Sequence, residues 1–391
     1  MRTIGQTQRR CADLIPVQTQ AGFTLIELMV SITISLLILA ALSAAYVNLA
    51  RNNNELAKTN IQIENGRSAI QILQGDIAHA GFWGSYVPQF ENLSLNSVPT
   101  DVPASVPDPC LAYTLANWTP AYKNSLLGIA VQSYEAVPSA CSGLLTDQQA
   151  NTDILVVRHA ETCVPGENNC EPDVAGKLYF QSTLCADEAA SPYVLDTAGF
   201  TLTKKDCDPD PLKASVKRKF ISNIYYIRNF SMTPGDGIPT LMRSQFDLSP
   251  AGVLAHQAPI PLIEGIEAFR VEFGIDDKSD AGSPVNYNAA VAWDDPKRLI
   301  NPINRGDGMP DGAFVRCTTA VPCTAAKLMN VVAVKLHVLA RARESTPGYT
   351  DPKTSYALGS TTWGPGDTRF KRHVFSTSVR LQNPSSRRET P

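Results

Sequence analysis

The 391-residue chain is 43% hydrophobic and 18% charged, a composition that can bury a sizeable core and excludes a disordered polypeptide. Its 34 basic and 37 acidic residues leave a formal charge of −3, so no bulk electrostatic footprint marks nucleic acid or an anionic surface as a partner. One or two domains are expected at this length.

Residues 1–22 carry Arg2, Arg9 and Arg10 against a single acid, Asp13, and end in Gln20-Ala21-Gly22. The next 25 residues, Phe23 to Val47, hold one charge, Glu27. As a helix this run is roughly 37 Å long, enough to cross a bilayer core of about 30 Å. Behind a basic segment, it reads as a transmembrane helix with a cytoplasmic leader. An ordinary secretory signal cut near Ser43-Ala44-Ala45 is the competing reading, but its apolar region should span only about 7–15 residues, and this one is longer and contains a carboxylate. A charge at mid-membrane costs about 2.5–3.5 kcal/mol. Glu27 therefore has a function there, or it lies one turn into the helix, near the interface, and complements the positive helix end.

Beyond the apolar run, Leu49, Leu56, Ile63, Ile70 and Ile77 recur every seven residues, with Leu73 and Ala80 three residues after the last two. The stripe predicts one amphipathic helix over 24–80, half in lipid and half packed on a head. Asn52-Asn53-Asn54, Gly66 and Gly75 weaken it locally, and Gly81 is its expected C-cap. A lone soluble coiled coil is disfavoured, because the second apolar position of the seam stays empty until Leu73.

The remainder reads as an antiparallel β head. Apolar and polar residues alternate in Val334-Lys335-Leu336-His337-Val338 and in Phe375 to Leu381, which predicts strands with one packed and one wet face. Further strands are expected near 126–134, 153–159, 177–183, 219–229 and 266–275. Between them lie long irregular stretches: Ser97 to Cys110, 276–316 and 344–368. Loops of that length are functional or are surface elaborations. No repeat, linker or charge block divides the head.

Two family resemblances organise these features. Gly22-Phe23-Thr24-Leu25-Ile26-Glu27-Leu28 resembles the type IV prepilin signature. It implies cleavage by a prepilin peptidase between Gly22 and Phe23, N-methylation of Phe23, and an assembly role for Glu27, whose carboxylate would pair with the α-amino group of a neighbouring subunit. Asp76-Ile77-Ala78-His79-Ala80-Gly81-Phe82-Trp83-Gly84 resembles the passage from helix to head in PilW-type minor pilins, and 152–157, 225–228, 262–267, 331–341 and 374–383 match that family more loosely in the same order. The implied fold class is α+β, a type IV pilin fold. Its implied divisions are a leader (1–22), a transmembrane half-helix (23–47), an amphipathic half-helix (48–81) and a disulfide-containing head (82–391). The implied function is that of a minor pilin that primes pilus assembly, sits at the tip and supports twitching motility. Its implied partners are other minor pilins, the major pilin, the prepilin peptidase, the inner-membrane assembly machinery and the lipid bilayer; bulk charge adds no nucleic acid to them, and no cofactor is expected. It would reside in the bacterial inner membrane with a periplasmic head, then at the pilus surface. A J-type pseudopilin of a type II secretion system and a membrane-anchored periplasmic enzyme or binding protein are the alternatives.

Of nine cysteines, Cys11 falls in the leader, leaving eight in the head. Short-range pairing is the simplest arrangement: Cys110 with Cys141, Cys163 with Cys170, Cys185 with Cys207, and Cys317 with Cys323. Zinc is disfavoured, since no CxxC or HExxH spacing is present, so an oxidising compartment is expected. No phosphate loop, GxSxG elbow or GxGxxG occurs, and the five histidines are scattered, so no enzyme is expected. His337, on the polar face of its strand, reads as solvated. Asn304 to Asp311 resembles the start of an EF-hand-type calcium loop through Asp307 and Asp311. Ile303 and Arg305 stand where its first and third ligands belong, which favours a plain turn.

Overall fold

The computed structural model describes residues 22–167 and 170–390; the positions before Gly22 that were expected to form a leader, Cys11 among them, lie outside the described residues. One helix, α1, runs over Leu25–His79, and the described residues divide into two compact units between Leu56 and Ala57. In the first unit the apolar length of α1 is exposed, and α1 is long and apolar enough to cross a membrane.

The second unit holds the rest of α1, a short helix α2 (Pro120–Gly128) and two larger antiparallel sheets. In chain order the strands are β1 (Val131–Tyr134), β2 (Ile154–Ala160), β3 (Tyr179–Ser182), β4 (Tyr193–Asp196), β5 (Lys217–Arg228), β6 (Thr240–Leu248), β7 (Leu254–His256), β8 (Ile260–Glu264), β9 (Ile266–Ile275), β10 (Val331–Arg341), β11 (Tyr356–Leu358), β12 (Thr361–Trp363) and β13 (Arg372–Arg380). The larger sheet follows β1-β2-β5-β3-β4, with β6 also on β5 and with β7 and β8 on β6. The smaller sheet is β13-β10-β9, and β11-β12 is a separate hairpin.

The expected strand at 126–134 is corrected. Thr119 caps a helix whose first turn holds Pro120, so 120–128 is helical and the strand starts only at Val131. The expected wet face of β10 is also corrected. Val334, Leu336 and Val338 face the core that includes α1, while Leu339 packs under the hairpin with Tyr356, Leu358 and Trp363. His337 is therefore buried rather than solvated; its Nδ1 lies 2.8 Å from Ser376 Oγ and its Nε2 3.6 Å from Glu272.

The seam of α1 also differs from the seven-residue stripe. Leu56 is exposed and Ile63 and Ile70 are only half-buried, whereas the buried positions are Gln62, Gly66, Ala69, Leu73 and Ile77. Small residues sit here because the sheet comes close: a Cβ on Gly66 would lie 2.1 Å from the Phe375 ring. Gln62 is accommodated because its Nε2 donates to Ala340 O at 2.8 Å. At the far end Gly81, with φ of 72°, closes the helix as expected and donates to Arg158 O.

Candidate functional site

The start of α1 is a capping box. Glu27 N–H donates to Thr24 Oγ1 at 3.3 Å, while Glu27 Oε2 accepts from the Thr24 N–H at 3.0 Å and its hydroxyl at 2.8 Å. Glu27 thus has the helix-end role that its position allowed. Both acceptor contacts use Oε2, and among the described residues no donor reaches Oε1. Phe23 and the apolar side chains that follow it, Leu25, Ile26, Leu28 and Met29, are all exposed.

The last turns of α1 are held on the larger sheet by one carboxylate. Asp76 accepts from His159 Nε2 at 2.9 Å on β2, and from Asn223 Nδ2 at 3.0 Å and Tyr225 OH at 2.9 Å on β5. Burial opposes charge on His159, but the hydrogen bond and charge of Asp76 outweigh it and raise its pKa. Burial also pushes the Tyr225 hydroxyl far up, so it remains a donor. All four residues lay in segments read as helix or strand from the sequence, but none was read as a contact. A signal did exist: a carboxylate near a helix C-terminus opposes the helix dipole and so needs a donor partner. His256 is buried, its pKa lowered by burial to about 3, and it stays neutral between Ser222 and Ser244.

The C-terminal residues lock the same junction. Arg387 donates to Gly81 O at 2.9 Å and to Glu91 at 2.8 Å, and the fully enclosed Arg388 reaches Asp276 at 3.2 Å. Asp276 in turn accepts from the N–H groups of Asp307 and Gly308. The calcium candidates therefore sit in a braced turn: Asp307 accepts from Met309 N–H at 2.8 Å and Asp311 from Lys278 N–H at 2.7 Å, while Arg305 donates to Ala289 O.

The family model described as type IV pilus-assembly protein W matches residues 224–383, and the prokaryotic N-terminal methylation motif matches residues 18–43. Over residues 224–383 the chain is similar to the PilW family of type IV pilus-assembly proteins, and its N-terminus is similar to prepilins. A solved type IV-like pilin from Thermus thermophilus is similar over 62% of this chain and 81% of its own, at 12% identity and a TM-score of 0.28. No curated protein matches significantly. The methylation motif covers Gly22, Phe23 and Glu27, and the W-like region includes Tyr225 of the Asp76 cluster and the whole smaller sheet.

The second unit carries disulfides Cys110–Cys141, Cys163–Cys170, Cys185–Cys207 and Cys317–Cys323. Among the described residues one group has metal-ligand proximity, Cys185, Asp187 and Cys207, but its two sulfurs are bonded to each other and offer no thiolate. Non-reducing peptide mapping of the exported protein is expected to recover these four linked pairs with no free thiol after Phe23. Replacing Cys110 and Cys141 together should remove about 3–4 kcal/mol of stability; two or more free thiols would contradict the arrangement.

Proposed function

We propose that this pilin is cut between Gly22 and Phe23 by a prepilin peptidase and methylated at Phe23. Residues 23–47 then hold it in the inner membrane with its head in the periplasm. Through its N-terminal helix it joins other minor pilins to prime assembly of a filament built from the major pilin, remains at the tip, and supports twitching motility. The inner-membrane machinery supplies the force. The role is structural, and the supporting observation is the first turn of α1. There an exposed apolar helix carries a carboxylate with one oxygen capped by Thr24 and the other open. A buried carboxylate needs a counter-charge, and the α-amino group of Phe23 on a neighbouring subunit supplies it.

Deletion of the gene tests the role. Loss of surface pili and twitching with secretion intact is expected. Loss of exoprotein secretion with pili intact would instead select a pseudopilin.

A further inference from the structure

The smaller sheet has one open edge. On its other side β9 is covered: Phe269 O accepts from Asp153 N–H at 3.0 Å, and Phe273 exchanges two backbone hydrogen bonds with Val315 at 2.8 Å. The free side of β13 has no strand partner among the described residues. It is also unlike the short outer strands of the larger sheet, where β1 and β4 have 4 residues each, β7 has 3, and β8 has 5 and includes Pro261. β13 has 9 residues, pairs with β10 without a bulge, and over Val374 to Ser378 contains neither proline nor charge. Natural edges are normally blunted by such devices. The flanking bonds Ala342 N–H to Lys371 O and Leu381 N–H to Val332 O set the phase of the ladder. The odd-numbered residues of β13 face β10, so the N–H and C=O of Val374, Ser376 and Ser378 point outward.

Beside that edge lies a groove of about 680 Å³. Its lining includes Asn60, Ile63, Glu64, Arg67 and Ile70 of α1 and Phe375 of β13, and no residue of β10 or β9, so it opens on the free side of β13. Ile63 and Ile70, from the seven-residue stripe, are only half-buried, with Ile70 packed against the rim of the core. The helix therefore leaves a shelf beside the last strand on which Ile63, Ile70 and Phe375 are the apolar members.

We propose that β13 and this shelf receive an extended strand from a different pilin subunit, which becomes the fourth strand of the smaller sheet and drops apolar side chains between α1 and β13. The backbone of the open edge selects an extended segment, and Ile63, Ile70 and Phe375 select its inward side chains. The inference rests on the reading of the protein as a pilin that assembles with other minor pilins.

The test uses the full processed chain, purified in detergent alone and after co-expression with the organism's other minor pilins. In the complex, amide exchange at Val374, Ser376 and Ser378 should slow at least 100-fold, while Thr377, already bonded to β10, should be unchanged. Ser378→Pro removes one outward donor and spares the ladder to β10, as edge strands tolerate. It should lower the yield of complex at least tenfold with an unchanged melting temperature. Should Ser378→Pro itself lower the melting temperature, Ile63→Glu, on the groove wall and outside the core, decides through the same loss. A wild-type complex in which the three amides stay fast overturns the strand and leaves the pilin reading standing. Protection of these amides in the purified chain alone, with dimerisation, overturns the choice of a different subunit. Failure of the wild-type chain to form any complex overturns both readings.

Discussion

Replacing Glu27 by leucine is expected to give a processed, membrane-resident chain that no longer enters the priming complex. Insertion requires only hydrophobicity, and leucine in place of a carboxylate makes insertion more favourable. Assembly asks for the opposite. An amine left unpaired in a low-dielectric setting costs about 3–5 kcal/mol, and every 1.4 kcal/mol is about tenfold in an equilibrium, so the complex should weaken by on the order of a hundredfold or more. The variant also loses half of the capping box with Thr24. Thr24→Ala, which disturbs only that local cap, serves as the control and should cost about 1 kcal/mol of helix stability. Co-purification with the other minor pilins and counts of surface pili in a strain lacking the wild-type copy read the difference. If the leucine variant assembles like wild type, Glu27 is a helix-end residue alone.

Asp76→Ala is expected to loosen the seat of α1 on the larger sheet. It strips the acceptor from His159, Asn223 and Tyr225 at once, and breaking a buried charged pair by removing one partner costs about 3–5 kcal/mol. Thermal unfolding should show the loss, and limited proteolysis should begin within residues 57–79. The same contact predicts a pH dependence. Because folding raises the pKa of His159, its contribution is fully present below the unfolded value of about 6.5 and fades as pH rises through the higher folded value. The wild-type head should therefore lose stability above neutral pH through this group, and Asp76→Asn should flatten that part of the profile. An unchanged melting temperature in Asp76→Ala, or the same profile in Asp76→Asn, would contradict the seat.

Much of this architecture is legible in the sequence because it is local. The expected helix over 24–80 stands at Leu25–His79, since apolar continuity, the Thr24 cap and Gly81 all act within a few residues. The strands near 153–159, 219–229 and 266–275 show in their β-branched and aromatic content. The seam of α1 was less readable. Counting apolar residues chose Ile63 and Ile70, while close approach of the sheet at Phe375 selects Gly66 and Ala69 one helical step away. His337 misled because alternation describes a strand and its pleat, and cannot foresee that residues 356–363 fold over the polar face; Ser360 N–H donates to Glu272 at 2.6 Å there. The Asp76 cluster joins residues 83 to 149 positions apart, a distance no local pattern spans.

The account depends most directly on where the mature chain begins. Mass analysis of the N-terminus of the membrane-extracted protein should find N-methylated phenylalanine at Phe23, and replacing Gly22 by a bulky residue should leave the precursor uncut. A mature terminus near Ala45 or Tyr46 would show secretory processing and removal of the helix anchor, and would contradict assembly through α1.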